Sequence, residues 1–170
     1  DAEYDKNFLK LYKKFSPGHL TYILKKKKKS KVSKFANAKL KTIAVRFPKN
    51  KIIRSLLKKL TFPLAIPSAN ISTGVSPTEP SDVVDEFKNK IKFILNGGKS
   101  LIGLESTVIN LNSKPTILRP GSISHTQIEK VLRKKVLNVT KSKFVISPGM
   151  HKRHYSCLLY TSDAADDDHC

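Results

Sequence analysis

Four stretches of the 170-residue chain set polar side chains directly beside an apolar run. AVRFP (44–48) ends its run in Arg46, and ILRPG (117–121) places Arg119 just before a turn. AIPSAN (65–70) carries Ser68 and Asn70, and LESTVI (104–109) places Glu105, Ser106 and Thr107 ahead of a further apolar run. Two guanidinium groups, several hydroxyls and an amide form a kit for holding anions. Arginine forks onto carboxylate or phosphate, and hydroxyls donate at low desolvation cost. The sequence contains no HExxH, GxxxxGK[ST] or GxGxxG motif and no recognisable Ser-His-Asp set, so the chemistry those motifs carry has no anchor here.

Each feature also has a plainer reading. Ser68 and Asn70 are good turn formers. Arg46 could be a strand-end surface residue. Glu105 reads more readily as a structural partner for Arg46 or Arg119 than as a general base, and His19, after Pro17-Gly18, reads as a loop residue. The anion reading gains weight because the pieces recur together at the ends of apolar runs, where loops of a sheet converge on ligands.

The elements that must position them follow from periodicity. Phe8, Leu11, Tyr12 and Phe15 share one face of a helix expected over 5–15, which stops at Ser16-Pro17-Gly18. Residues 20–24 and 42–47 read as strands, separated by a lysine-rich stretch (25–34) expected to be a solvated loop. A helix over 51–60 turns Ile52, Ile53, Leu56, Leu57 and Leu60 towards a core. Further strands are expected over 64–66, 91–95, 106–111, 116–119 and 136–139. Helices are expected over 81–89, capped by Ser81, and over 124–134, with Ile128, Val131 and Leu132 inward. Interleaved strands and helices with short links make a sheet covered by helices the expected architecture. In the proline-rich segment 63–82, Pro67 and Pro77 stiffen the loop, and Ser68 and Asn70, two apart, point the same way if it is extended.

Length and composition suit one globular domain: 39% of residues are hydrophobic and 27% charged. The formal charge of +20 comes from 33 Lys and Arg against 13 Asp and Glu. Such a balance invites a nucleic-acid partner. Lysine predominates over arginine, however, and Asn and Ile are frequent, a pattern that AT-rich coding also produces. A phosphate-bearing small substrate would equally welcome this field. No apolar run approaches the ~20 residues that cross a bilayer, and the first residues are acidic and polar, so no membrane partner and a cytoplasmic location are expected. Both cysteines, Cys157 and Cys170, fall in CLLYTSDAADDDHC (157–170), which resembles a translated sequencing-library adapter and is read as a non-native tail. Cysteine-based metal sites and disulfides are then not expected in the rest.

Several segments together resemble one family. FSPGHLTYIL (15–24) is similar to its Phe-Trp-Pro-Gly-Pro-Leu-Thr segment, and TIAVRFP (42–48), AIPSANISTGVSPT (65–78), GLESTVI (103–109) and ILRPGSIS (117–124) match later blocks in order. The chain thus resembles the YrdC-like threonylcarbamoyl-AMP synthases over about residues 8–155. SPGMHKRHYS (147–156) resembles the linker that follows the catalytic domain in two-domain members. The division implied is a YrdC-like domain over 1–146, the start of a linker over 147–156 and the tail beyond.

The resemblance implies an α+β fold: a twisted mixed sheet flanked by helices and enclosing a basic cavity. It implies synthesis of L-threonylcarbamoyladenylate from L-threonine, bicarbonate and ATP, with Mg2+ accompanying the ATP and pyrophosphate released. A tRNA-modifying threonylcarbamoyl transferase would use the product downstream. On the ATP side it implies Thr42, Ser68, Asn70, Ser76, Arg119 and Tyr155; Lys152 stands where the family usually has tyrosine. On the threonine side it implies Arg46, Ile66 through its backbone, and Ser106. Family members carry a threonine-containing strand and a Lys-x-Arg pair upstream of the matching region, so the 170 residues alone are expected to be inactive and poorly soluble. The alternatives are an RNA-binding module without catalysis and a carbamoyl-adenylate-forming domain of a hydrogenase-maturation protein. The linker-like segment argues against the latter.

Overall fold

The computed structural model describes residues 1–37, 39–71 and 74–139. The elements run in the order β1 (Ala2–Glu3), α1 (Lys6–Phe15), β2 (Leu20–Lys26), β3 (Thr42–Arg46), α2 (Lys51–Lys59), α3 (Pro80–Phe87), β4 (Thr107–Asn110), β5 (Thr116–Arg119), α4 (His125–Leu132) and β6 (Leu137–Asn138). Among the described residues, all strands join one six-stranded mixed sheet.

β2 is its centre. β3 lies antiparallel along one edge, while β4 lies parallel and the short β1 antiparallel along the other. β5 pairs antiparallel with β4, and β6 parallel with β5. Alternation then sorts the side chains of β2. Leu20, Tyr22 and Leu24 enter the main core with Phe8 and Leu11 of α1, Ile109 and Ile117 of the sheet, and Ile128 and Leu132 of α4. Ile23 packs on the opposite face with Val108 and Leu118. The helix-covered face therefore holds most of the core, and the other face is far less covered.

The two core helices are ended by local chemistry. Asp5 Oδ1 accepts from Phe8 N at 2.9 Å to start α1, and Ser124 with Gln127 forms a reciprocal capping box for α4. Phe8 meets Tyr22 edge to face with ring centroids 5.0 Å apart, and Tyr12 meets Phe47 in the same way at 4.8 Å. Both geometries suit the ring quadrupole.

The structure departs from the sequence-based expectations mainly between β3 and β4. Residues 64–66 form no strand: Pro63 and Pro67 bracket them, and a proline cannot donate to a ladder. Residues 91–95 also stay outside the sheet, with Phe93 91% exposed. Apolar and β-branched content makes a strand only where a neighbouring strand pairs with it. α3 begins after Glu79, not Ser81. Glu79 and Asp82 make the capping box around Pro80, and a 3-10 turn over Lys88–Lys90 follows the helix. α2 forms as expected, but none of its residues is buried. In fact no described residue between Ile43 and Ser106 is buried. The strand expected over 136–139 shrinks to β6, and β1 was not foreseen, since two residues show no period. Among the described residues, no helix is long and apolar enough to cross a membrane.

Candidate functional site

One end of the sheet gathers the polar residues. Register fixes this: Thr21 of β2 faces Arg46 of β3 on one side and Val108 of β4 on the other, and Val108 faces Arg119 of β5. The last residue of β3, the start of β2, the start of β4 and the last residue of β5 thus form one row across four strands. Ser106 immediately precedes β4 and is buried. Thr42, Ala44 and Arg46 alternate onto the face away from Ile43, which is the less covered face.

Arg119 braces the middle of this row. Its Nε and Nη2 donate to the Ser106 carbonyl at 3.2 and 2.8 Å, and Nη2 also lies 3.2 Å from Ser106 Oγ. Its Nη1 forms an ion pair with Glu105, and the two side chains are only 14% and 16% exposed. Ser76 Oγ donates to Glu105 Oε1 at 3.2 Å, so the proline-rich loop is tied to the same carboxylate. Glu105 is thereby a structural partner of Arg119, as its position suggested. Ser106 Oγ and Thr21 Oγ1 lie 2.7 Å apart. Because Arg119 can only donate to Ser106 Oγ, that hydroxyl keeps its own proton for Thr21 or for a ligand.

Arg46 is the exposed cation of the group. Its Nε donates to the Gly18 carbonyl at 3.2 Å, and Nη2 lies 3.3 Å from His19 Nδ1. Packing around the guanidinium, and then the charge of Arg119, lower its pKa from the ordinary arginine value, while Glu105 acts the other way. It stays a cation at any physiological pH. Gly18 is required where it stands, since a Cβ there would run into the Phe15 carbonyl. Gly121 is similarly constrained: a Cβ would lie 2.5 Å from Glu105 O and from Thr107 N. The ILRPG turn can therefore lie against the Glu105–Thr107 backbone only with glycine at that position. Thr107 Oγ1 completes this join by donating to the Ile123 carbonyl at 2.8 Å.

Of the sequence-derived candidates, the structure brings Arg46, Ser76, Ser106 and Arg119 together. Thr42 shares the face of Arg46 but begins β3, about 13 Å away along the strand. Ser68 and Ile66 are exposed in the loop. Among the described residues, no hydrogen bond ties Thr42, Ile66 or Ser68 to the cluster. Asn70 behaves as the turn former that its type allows, donating to the carbonyls of Ile71 and Gly74 at 2.9 Å each. Tyr155 and Lys152, with the linker and tail, lie outside the described residues. Thr21 and His19 belong to the site but carry little signal in sequence; the only hint of Thr21 is a hydroxyl inside an apolar strand. Among the described residues, no group of three or more His, Cys, Asp and Glu is placed to hold a metal ion.

Comparison with known proteins supplies the context. The Sua5/YciO/YrdC family model, described as "Telomere recombination", matches residues 1–121. A Pyrococcus abyssi protein named threonylcarbamoyl-AMP synthase is 40% identical over 151 residues, covering 86% of this chain and 44% of the relative. A Schizosaccharomyces pombe protein of the same name is 41% identical over 163 residues, covering 89% of this chain and 40% of the relative. The crystal structure of P. abyssi Sua5 complexed with L-threonine superposes with a TM-score of 0.82 at 38% identity, over 90% of this chain and 46% of that one. The chain thus spans less than half the length of these relatives.

Proposed function

The chain belongs to the Sua5/YciO/YrdC family, and we propose that it carries the threonine-binding and part of the nucleotide-binding surface of an L-threonylcarbamoyladenylate synthase. The supporting observation is the row of Arg46, Thr21, Ser106 and Arg119 across one sheet end, braced by Glu105. A family member of known structure was solved with L-threonine.

In this reading Arg46 forks onto the threonine carboxylate, because it is the exposed guanidinium of the cluster. Ser106, held by Arg119 and Thr21, presents its hydroxyl to the same guest. The backbone of Ile66 lines the threonine side. Thr42, Ser68, Asn70, Ser76 and Arg119 serve the ATP side, and Tyr155 would close over it. A basic cavity over the less covered face belongs to this reading. Mg2+ arrives as part of the ATP substrate, held by phosphate oxygens.

The chemistry asks little covalent work of the protein. The threonine amine and bicarbonate condense to a carbamate with loss of water. A carbamate oxygen then attacks the α-phosphorus of ATP in line, the bond to the bridging oxygen breaks, and pyrophosphate leaves. Positioning and charge stabilisation supply most of the rate in such a transfer. Carbamates and mixed anhydrides hydrolyse readily, so excluding water matters. A threonylcarbamoyl transferase acting on tRNA would consume the product.

The test is pyrophosphate release by a polypeptide extended to the length of the relatives. Release that requires ATP, L-threonine and bicarbonate together supports the reading. Release without threonine, or salt-sensitive RNA binding with no threonine or ATP binding, would replace it with one of the alternatives.

A further inference from the structure

His19 stands against Arg46, the exposed cation of the site among the described residues. The geometry points to His19 as a positioning residue that, in its neutral form, holds the Arg46 guanidinium through Nδ1 and releases it on protonation, so that binding of a carboxylate at Arg46 weakens in acid. The inference rests on the threonine reading above and deepens it by naming a regulation of the same site.

The roles of the two partners are fixed by what each group can do. A guanidinium only donates, so at 3.3 Å from Arg46 Nη2 the His19 Nδ1 must be the acceptor, and the ring proton sits on Nε2. With Nε on the Gly18 carbonyl at 3.2 Å, two adjacent residues of one turn hold two edges of the guanidinium. That turn is itself fixed from both sides. Gly18 N donates to the Phe47 carbonyl at 2.7 Å, next to Arg46, and the His19 carbonyl accepts from Thr107 N at 3.1 Å, next to Ser106. His19 therefore sits on the short backbone link between the two threonine-side residues.

Protonation would remove the acceptor and set two cations 3.3 Å apart. Among the described residues, the charged groups facing the ring are Arg46 and Lys49, and the Glu105–Arg119 pair lies beyond Arg46. Burial first, then Arg46 and Lys49, lower the His19 pKa below the ordinary histidine value, so the ring is neutral at pH 7 and the hold is intact there. Acidification through that lowered pKa breaks it. The segment that this stretch resembles has proline at the corresponding position, so the device would be a property of this chain.

The experiment is calorimetric titration of the chain with L-threonine from pH 7.5 down to pH 4.5, a range over which the ligand carboxylate stays ionised, with the His19 protonation state followed by NMR over the same range. Asn places its amide oxygen where Nδ1 lies, whereas Gln reaches the Nε2 position. At pH 7.5, His19→Asn should bind as the parent does, and His19→Gln and His19→Ala about five- to tenfold more weakly, as expected for one lost orienting hydrogen bond. Lowering the pH should weaken the parent and leave His19→Asn unchanged. Parent-like binding by His19→Ala, or the same acid loss in His19→Asn, overturns the inference alone. If the parent binds no threonine at any pH in that range, the threonine reading and its regulation both fail. The ring tautomer, read by 15N NMR, then decides the pair itself: an Nε2–H ring whose pKa rises in Arg46→Ala retains it, and an Nδ1–H ring removes it.

Discussion

Replacing Glu105 with glutamine isolates the charge that braces the site. Glutamine keeps the size of the side chain and an oxygen for Ser76, so what is lost is the negative charge facing Arg119. Both side chains are mostly buried, at 16% and 14% exposure, and the pair sits beside a backbone carbonyl that already engages the guanidinium. Breaking one side of a fully buried pair costs about 3–5 kcal/mol, and the remaining solvent contact places this one at or below the lower end, about 2–3 kcal/mol. For a chain of this length that corresponds to a melting temperature lower by roughly 4–12 °C. Arg119→Met should cost more, because it also removes the hydrogen bonds to Ser106. The double variant should cost clearly less than the sum, with a coupling of about 2 kcal/mol measured by urea unfolding. Additivity within about 0.5 kcal/mol would refute the argument. Glu105 would then be a bystander, and its general-base role would return to consideration.

Further outcomes follow from single features. Gly121→Ala should destabilise the chain by more than 2 kcal/mol, because the new Cβ must displace the backbone around Glu105 and Thr107; unchanged urea unfolding would contradict that packing. Ile128→Ala should cost about 2–5 kcal/mol, since the residue is fully buried between α4 and the sheet. Tyr22→Phe should cost about 1 kcal/mol by removing the 2.8 Å contact with Ser16 Oγ, read by the same unfolding curves. The start of α3 should loosen in acid. Asp82 accepts from the backbone of Thr78 and Glu79 at 2.8 and 3.0 Å, and these bonds hold its pKa below the ordinary aspartate value. Their contribution is therefore complete above that ordinary value and lost as the pH falls through the lowered one. Amide exchange at Thr78 and Glu79 should rise there, and Asp82→Asn should raise it already at neutral pH.

The core was legible where periodicity and pairing agree. α1, α4, β2 and the β4–β5 hairpin carry strong apolar patterns, and each found the neighbour its pattern requires. Residues 64–66 and 91–95 have apolar content yet pair with no strand, although the outer edge of β3 carries no partner among the described residues. Composition does not encode whether a segment pairs. In the site, Arg46, Ser106 and Arg119 stood out because guanidinium and hydroxyl groups recur together at the ends of several apolar runs. Their mutual arrangement was not legible, since the row depends on strand order: β2 pairs with β4, which lies more than eighty residues away in sequence. Thr21 and His19 were hidden for the same reason, and became site residues only once β3 and β4 were placed on either side of them.

The most direct measurement is a crystal structure of the chain with L-threonine. The carboxylate should lie within hydrogen-bond distance, about 2.7–3.2 Å, of the Arg46 guanidinium, with the Ser106 hydroxyl facing the same molecule. Threonine bound away from Arg46 and Ser106, or Arg46 engaged with protein groups alone while the ligand is present, would contradict that placement.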